Sequence, residues 1–451
     1  MVQVPTPREE ASWRSWGGVQ TEAAVVEEIE RIDHELKTLQ GKAEFGLEIL
    51  PVERVGSVED AENRADQDTD VVLVYACSGS GSMLRACLKG GRDRLVFVRH
   101  QSGPIYYWYE ALSVRYLRTD EVPENAGQEA DLPDVHVDDV VVDEYPELLW
   151  RLRALAAVKN MLGNTVVALG GAWGKYAPDA PQVARERYGL RIVDVGYDTF
   201  EVRLREALAD RARMERAERC TREYLSLPQT TLETKRPFVV NAFVLYELFK
   251  ELLEEHSASV FTIKSCMGTI IPMSKTTACL SLALLNDEGP MAFCESDFVI
   301  IPAGILMRYL SNKPVFLHNS TFPHGGVVTC AHCTCPRRLD GRTYAPTRIL
   351  THYESDYGAA PKVEIPLGQA VTFLDPRYSS DRWVSFKGVV RGNPFYEICR
   401  SQQDVEIEGN WRDLLAEARD SHWIMVYGDY LREVPYACRK IGIRCTRLEA
   451  A

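Results

Sequence analysis

Twice along this chain a short apolar run ends in a glycine-rich turn, passes into a helical segment and returns to a second apolar run. The first instance joins "TDVVLVYACSGSGS", "MLRACLKGG" and "RLVFVRH"; the second joins "NTVVALGG", "APQVARERYG" and "LRIVDVGY". "TDVVLVYAC" reads as a buried strand, and a parallel return requires a crossover, so each stretch predicts a β-α-β unit in an α/β layer. The turn Ser78–Gly79–Ser80–Gly81 lacks the lysine of a P-loop and the full dinucleotide fingerprint, and reads as a tight turn.

Beyond Pro336 the texture changes. "PKVEIPLGQAVTFLDP" and "RWVSFKGVVRGNPFYEICRSQQDVEIEG" are short alternating segments broken by Gly, Pro and Asn, the pattern of antiparallel β structure in a small barrel or sandwich. A chain of 451 residues also exceeds the roughly 250 to 300 at which single cores stop growing. The expected fold is α/β: two Rossmann-like α/β domains, 1–157 and 158–312, followed by a β-rich, barrel-like C-terminal domain, 313–451.

The formal net charge of -13 argues against a nucleic-acid partner, which needs clustered Lys and Arg to neutralise phosphates. The N-terminus has no apolar core of signal-peptide length, and no apolar run approaches the roughly 20 residues of a membrane span, so a cytoplasmic protein is expected. Its 12 cysteines, several inside apolar segments, fit reduced thiols better than a disulfide framework.

Ionisable residues nevertheless punctuate the apolar stretch "GPMAFCESDFVIIPAGILMRYLSNKPVFLHNSTF". Glu295 and Asp297 are expected at a helix start, where the macrodipole favours carboxylates. His318 and Asn319 end an apolar strand, the usual place for ligands in α/β proteins. His332 stands among Cys330, Cys333 and Cys335 in "TCAHCTCP", and His422 precedes a strand in "SHWIMVYGD". A carboxylate, an amide oxygen and two imidazoles suit Mn²⁺, Fe²⁺, Co²⁺ or Zn²⁺ with positions left open for substrate oxygens. The cysteines alone read either as a separate structural zinc site or as thiols lining the pocket.

The order of the domains, the E-x-D in "CESD", the strand end "VFLHN" and the late histidine resemble the L-fucose isomerase and L-arabinose isomerase superfamily. The likeness runs from about Thr165 to the C-terminus, and "ACLSLALLNDEGPMAFCESD" is its most specific part. It implies a Mn²⁺-dependent aldose–ketose isomerase acting on a sugar or sugar derivative through a metal-stabilised enediolate. It implies Glu295 as metal ligand and base, with His332 and His422 as further ligands. The family's second carboxylate falls on Asn319, or on His318 if the strand slips by one, and neither is a carboxylate. An amide takes up no proton at neutral pH, so the relay would pass to Glu295 with His318, Asp297 or a metal-bound water.

Substrate contacts are expected from Asp297, from Cys330 and Cys333 as pocket thiols, and from His352. Arg337 and Arg338 could hold a phosphate or carboxylate. The resemblance also implies a homo-oligomer in which a neighbouring subunit's first domain completes the pocket, which would bring in Arg99, His100 and Trp108. An epimerase or lyase using the same enediolate, or a sugar-binding protein on the same fold, are the alternatives.

Overall fold

The computed structural model describes residues 10–11, 19–64, 68–99, 117–118, 135–377, 381–418 and 420–448. They fall into two compact units, Met1–Ala156 and Ala157–Ala451.

In the first unit the expected β-α-β unit is present. Strands β1 (Val71–Tyr75), β2 (Asp93–Val98) and β3 (Val140–Val142) form a parallel sheet in that order, and helix Gly81–Leu88 is the crossover from β1 to β2. The serine–glycine turn is the cap of that helix: Ser80 Oγ accepts a hydrogen bond from the Met83 amide at 3.3 Å. Arg99 follows β2, donates through Nε to Glu28 Oε1 at 2.9 Å and pairs with Glu35, whose carboxylate also accepts from the Tyr145 hydroxyl. Its guanidinium thus has partners within its own unit. His100 and Trp108 lie outside the described residues.

The second unit opens with β4 (Thr165–Leu169), β5 (Arg191–Val195), β6 (Thr230–Leu232), β7 (Val260–Ile263) and β8 (Met291–Cys294). Four of these form a parallel sheet in the order β5-β4-β7-β8. β4 and β7 are buried along their whole length, in keeping with their mostly apolar sequences, TVVAL and VFTI. Helix Arg236–Glu255, with Pro237 in its first turn, buries Val239, Val244, Leu245 and Phe249 in the same core as Phe261 and Ile263 of β7. Each such side chain contributes roughly 1.5–3 kcal/mol of burial.

Strands β9 (Phe316–Ser320), β10 (Val327–His332), β11 (Thr347–His352), β12 (Tyr357–Val363), β13 (Ala370–Pro376), β14 (Arg382–Gly392), β15 (Ser401–Glu408), β16 (His422–Tyr427) and β17 (Arg444–Arg447) follow. Six of them close an antiparallel barrel, β13-β16-β9-β10-β15-β14, which returns to β13 through pairs such as Phe373↔Phe386. Alternate residues fill it: Phe316, Val328 and Cys330, Val371 and Phe373, Val384 and Phe386, Val405 and Ile407, Trp423 and Met425. The barrel is not one continuous segment. It takes β9 and β10 from before Pro336 and β16 from the C-terminal tail, while β11 and β12 leave it to pair with β6. The chain is therefore a mixed α/β protein with parallel sheets and a closed antiparallel barrel. No single helix among the described residues is long and apolar enough to cross a membrane.

Helix Ile301–Ser311 packs against both β8 and β16 and so joins the parallel sheet to the barrel. Gly304 permits this approach, since a Cβ there would lie 2.3 Å from the Phe293 ring and 3.3 Å from Ile424. That contact sets the end of β8 beside the start of β16.

Candidate metal centre

Glu295 is the first residue beyond β8, at the C-terminal edge of the parallel sheet, where ligands meet α/β folds. The expectation that Glu295 and Asp297 open a helix is corrected here: the helix begins only at Ile301. Instead, Glu295 and Ser296 occupy a tight turn with φ of 66° and 53°, the left-handed region that disfavours residues bearing a Cβ. The turn is clipped in place from the loop after β4. The Trp173 amide donates to the Ser296 carbonyl at 3.3 Å, and the Phe298 amide donates to the Trp173 carbonyl at 2.9 Å. Asp297 Oδ1 accepts from the Lys175 amide at 2.9 Å and the Val299 amide at 3.2 Å.

Three side chains converge at this edge. Glu295, His332 from the end of β10 and His422 from the start of β16 each offer a ligand atom, all within 4.8 Å of one another. His422 is fully buried, and its Nδ1 donates to Asp297 Oδ2 at 2.8 Å. Because a carboxylate can only accept, that bond fixes the ring and leaves Nε2 for the centre. Nε2 has no hydrogen-bond partner and faces Glu295 Oε2 at 3.5 Å. His332 sets Nδ1 2.8 Å from Thr334 Oγ1, again leaving the other ring nitrogen to the centre, and its ring centroid is 6.4 Å from that of His422.

The electrostatics follow from this geometry. Burial pushes the Glu295 carboxyl up, but His422 Nε2 3.5 Å away and the charges of His422, His332 and Lys175 hold it down at about 2. Burial opposes charge on His422, yet the carboxylates of Asp297 and Glu295 lift it to about 9. Burial drives His332 to about 4 despite Glu295, so that imidazole is neutral at pH 7. Without an ion, a proton on His422 offsets one of the two carboxylate charges beside it. One anionic carboxylate and two imidazoles form a donor set that fits a borderline divalent cation.

The other expected site residues are distributed differently. Asn319 pairs in register with His422 and donates its amide to the Ser421 carbonyl at 3.2 Å. His318 is buried inside the barrel, its ring centroid 5.4 Å from Phe316, 5.6 Å from Phe373 and 6.2 Å from Trp423. Burial lowers it to about 3, so it is a packed neutral ring rather than a relay. Asp297 is wholly buried and orients His422, so its expected role in substrate contact is replaced by positioning.

Cys330 is part of the barrel core and Cys335 is equally enclosed, whereas Cys333 packs with Cys279 and Cys399. Among the described residues these thiols join no group of three that could share an ion. The expected anion site at Arg337 also gives way: the side chain is buried and donates to the Ala345 carbonyl at 2.9 Å and to Thr230 Oγ1 at 3.0 Å. The Arg337 and Arg338 amides bind Asp287. His352 is buried with Nδ1 3.1 Å from Ser355 Oγ.

Sequence reasoning missed Lys175, whose Nζ lies 3.4 Å from Glu295 Oε2. Its signal was available in the glycine-rich turn that ends β4, which puts the following residues at the same sheet edge as Glu295.

Ser296 makes this turn testable. It is fully buried in the left-handed region, and its hydroxyl has no hydrogen-bond partner. Ser296→Gly removes both costs at the expense of some chain entropy, so the ion-free protein should gain about 1 kcal/mol in denaturant unfolding. A loss of stability would contradict the strained-turn account. Compared with known proteins, the sequence matches no family model and no curated protein.

Proposed function

We propose that this chain is a divalent-metal-dependent isomerase of sugars or sugar derivatives, exchanging an aldose and its ketose through an enediolate. The observation that carries the reading is the convergence of Glu295, His332 and His422 within 4.8 Å, with Asp297 setting the His422 tautomer. An ion held there by Glu295, His332 and His422 would supply Lewis-acid polarisation of the substrate.

The chain's own residues supply the rest. Glu295, held ionised, takes the proton from C2 and returns it to C1, while Lys175 Nζ beside it gives a proton to the C1 oxygen and recovers one from the C2 hydroxyl. Asn319, next to His422, offers an amide and not a second base. The same reading carries two Rossmann-like layers that precede the barrel in the sequence and a cytoplasmic homo-oligomer.

The test is proton exchange at C2 of an aldose panel in D₂O, followed by NMR on manganese-loaded protein. Exchange with ketose formation supports the isomerase, and inversion without ketose would make it an epimerase. Absence of exchange with every sugar, metal being bound, would leave a binding protein.

Ion binding should itself be proton-linked. Since His422 is protonated below about 9 in the ion-free protein, affinity should rise about ten-fold per pH unit from pH 7 toward 9 and then level off. Calorimetry in two buffers of different ionisation enthalpy should show about one proton released per ion at pH 7. No release would mean that His422 is not a ligand. The sign for stability is the reverse: the raised His422 value stabilises the ion-free fold fully below 6.5 and is lost as pH rises through about 9.

A further inference from the structure

We propose that the substrate is an anionic sugar, with its carboxylate or phosphate held by Lys264 and its apolar face against Trp173; this rests on the metal-centre reading above. β7 ends at Ile263, which pairs with Cys294 of β8, so Lys264 and Glu295 leave adjacent strands side by side. Trp173 is clipped to the Glu295–Ser296 turn through its amide and carbonyl, and it remains 36% exposed. Lys264 Nζ stands 5.7 Å from the Trp173 ring centre. Among the described residues no carboxylate or hydrogen-bond acceptor engages that ammonium. Access is open at this edge, where Met267 is 47% exposed and a Cβ on Gly268 would meet no atom within 4 Å.

Charge completes the case. Lys175 has Glu295 as its partner, and an ion on that carboxylate would share its negative charge. A divalent ion and two lysines then face the carboxylates of Glu295 and Asp297. Even with Asp420 counted, whose Oδ1 already accepts from the Ser421 and His422 amides, positive charge is in excess. An ammonium that is half-buried without a counter-ion, beside an aromatic face and an ion site, is the arrangement that an anionic group completes.

The test uses manganese-loaded protein at fixed ionic strength, with D-glucuronate, D-glucose 6-phosphate and neutral D-glucose as probes in calorimetry and tryptophan fluorescence. At least one anionic probe should bind about ten-fold or more tighter than glucose, and whichever does so tells carboxylate from phosphate. Lys264→Met should remove that preference while leaving manganese content and the melting curve unchanged. Anionic probes binding no better than glucose, or an unaltered preference in the folded Lys264→Met variant, would overturn the proposal. A protein that takes up no manganese would instead remove the centre itself, so the two failures are distinguishable.

Discussion

Glu295→Gln is expected to abolish turnover and to weaken divalent-ion binding by at least about 100-fold, more than the loss of an outer-shell partner costs. Glu295 is the only carboxylate in the converging trio, and an amide of the same shape offers the ion a neutral oxygen in place of an anionic one. The same exchange removes the proposed base. The fold should survive, because the side chain is 38% exposed and His422 keeps its bond to Asp297. Calorimetry for the ion and far-UV circular dichroism for the fold check the two halves separately. Undiminished ion binding would remove Glu295 from the centre, whereas an unfolded protein would make it a structural residue.

Asp297→Asn should be almost as damaging although its side chain is not among the converging ligand atoms. The carboxylate accepts from His422 Nδ1 and from two backbone amides in a fully buried setting. An asparagine that kept its oxygen toward the backbone amides would present an N–H₂ to His422, turning Nδ1 into an acceptor and putting the ring proton on Nε2. That is the tautomer that cannot bind an ion. Ion affinity should fall about 10- to 100-fold, and stability by about 3 kcal/mol because His422 loses a buried charged partner. Titration of the His422 ring by NMR separates this from simple destabilisation: its value should drop well below the wild-type figure of about 9. An unchanged titration together with unchanged ion affinity would mean that Asp297 does not set the ring.

Much of this was legible in the sequence. The stretches of β4 and β5 announced a parallel pair through two apolar runs joined by a helical crossover, and β13 to β15 announced antiparallel structure through alternation. What the sequence hid was the pairing order: nothing local in "VFLHNS" or "HWIMVY" says that these two strands lie side by side between "VTFLDP" and β10, because closure is set by long-range pairing. Glu295, His332 and His422 were all named beforehand, and the family resemblance pointed to them as ligands. His318 and Asn319 show the limit. They are adjacent on a strand, so one faces the barrel interior and the other does not, and a one-residue slip in register exchanges them. Only the packing of His318 against Phe316, Phe373 and Trp423 decides which is which. Arg337 was misplaced for a related reason, since a charged residue beside an expected site can equally be buried on a backbone carbonyl and a hydroxyl, as it is here on Ala345 and Thr230.

The most direct measurement of the central claim is the metal content of protein saturated with manganese and then desalted, for the wild type beside Glu295→Gln, His332→Ala, His422→Ala and Cys333→Ser. One ion per chain in the wild type and in Cys333→Ser, with the other three variants empty, is the predicted result. Retention of the ion when Glu295 and both histidines are changed in turn, or its loss only in Cys333→Ser, would contradict the account.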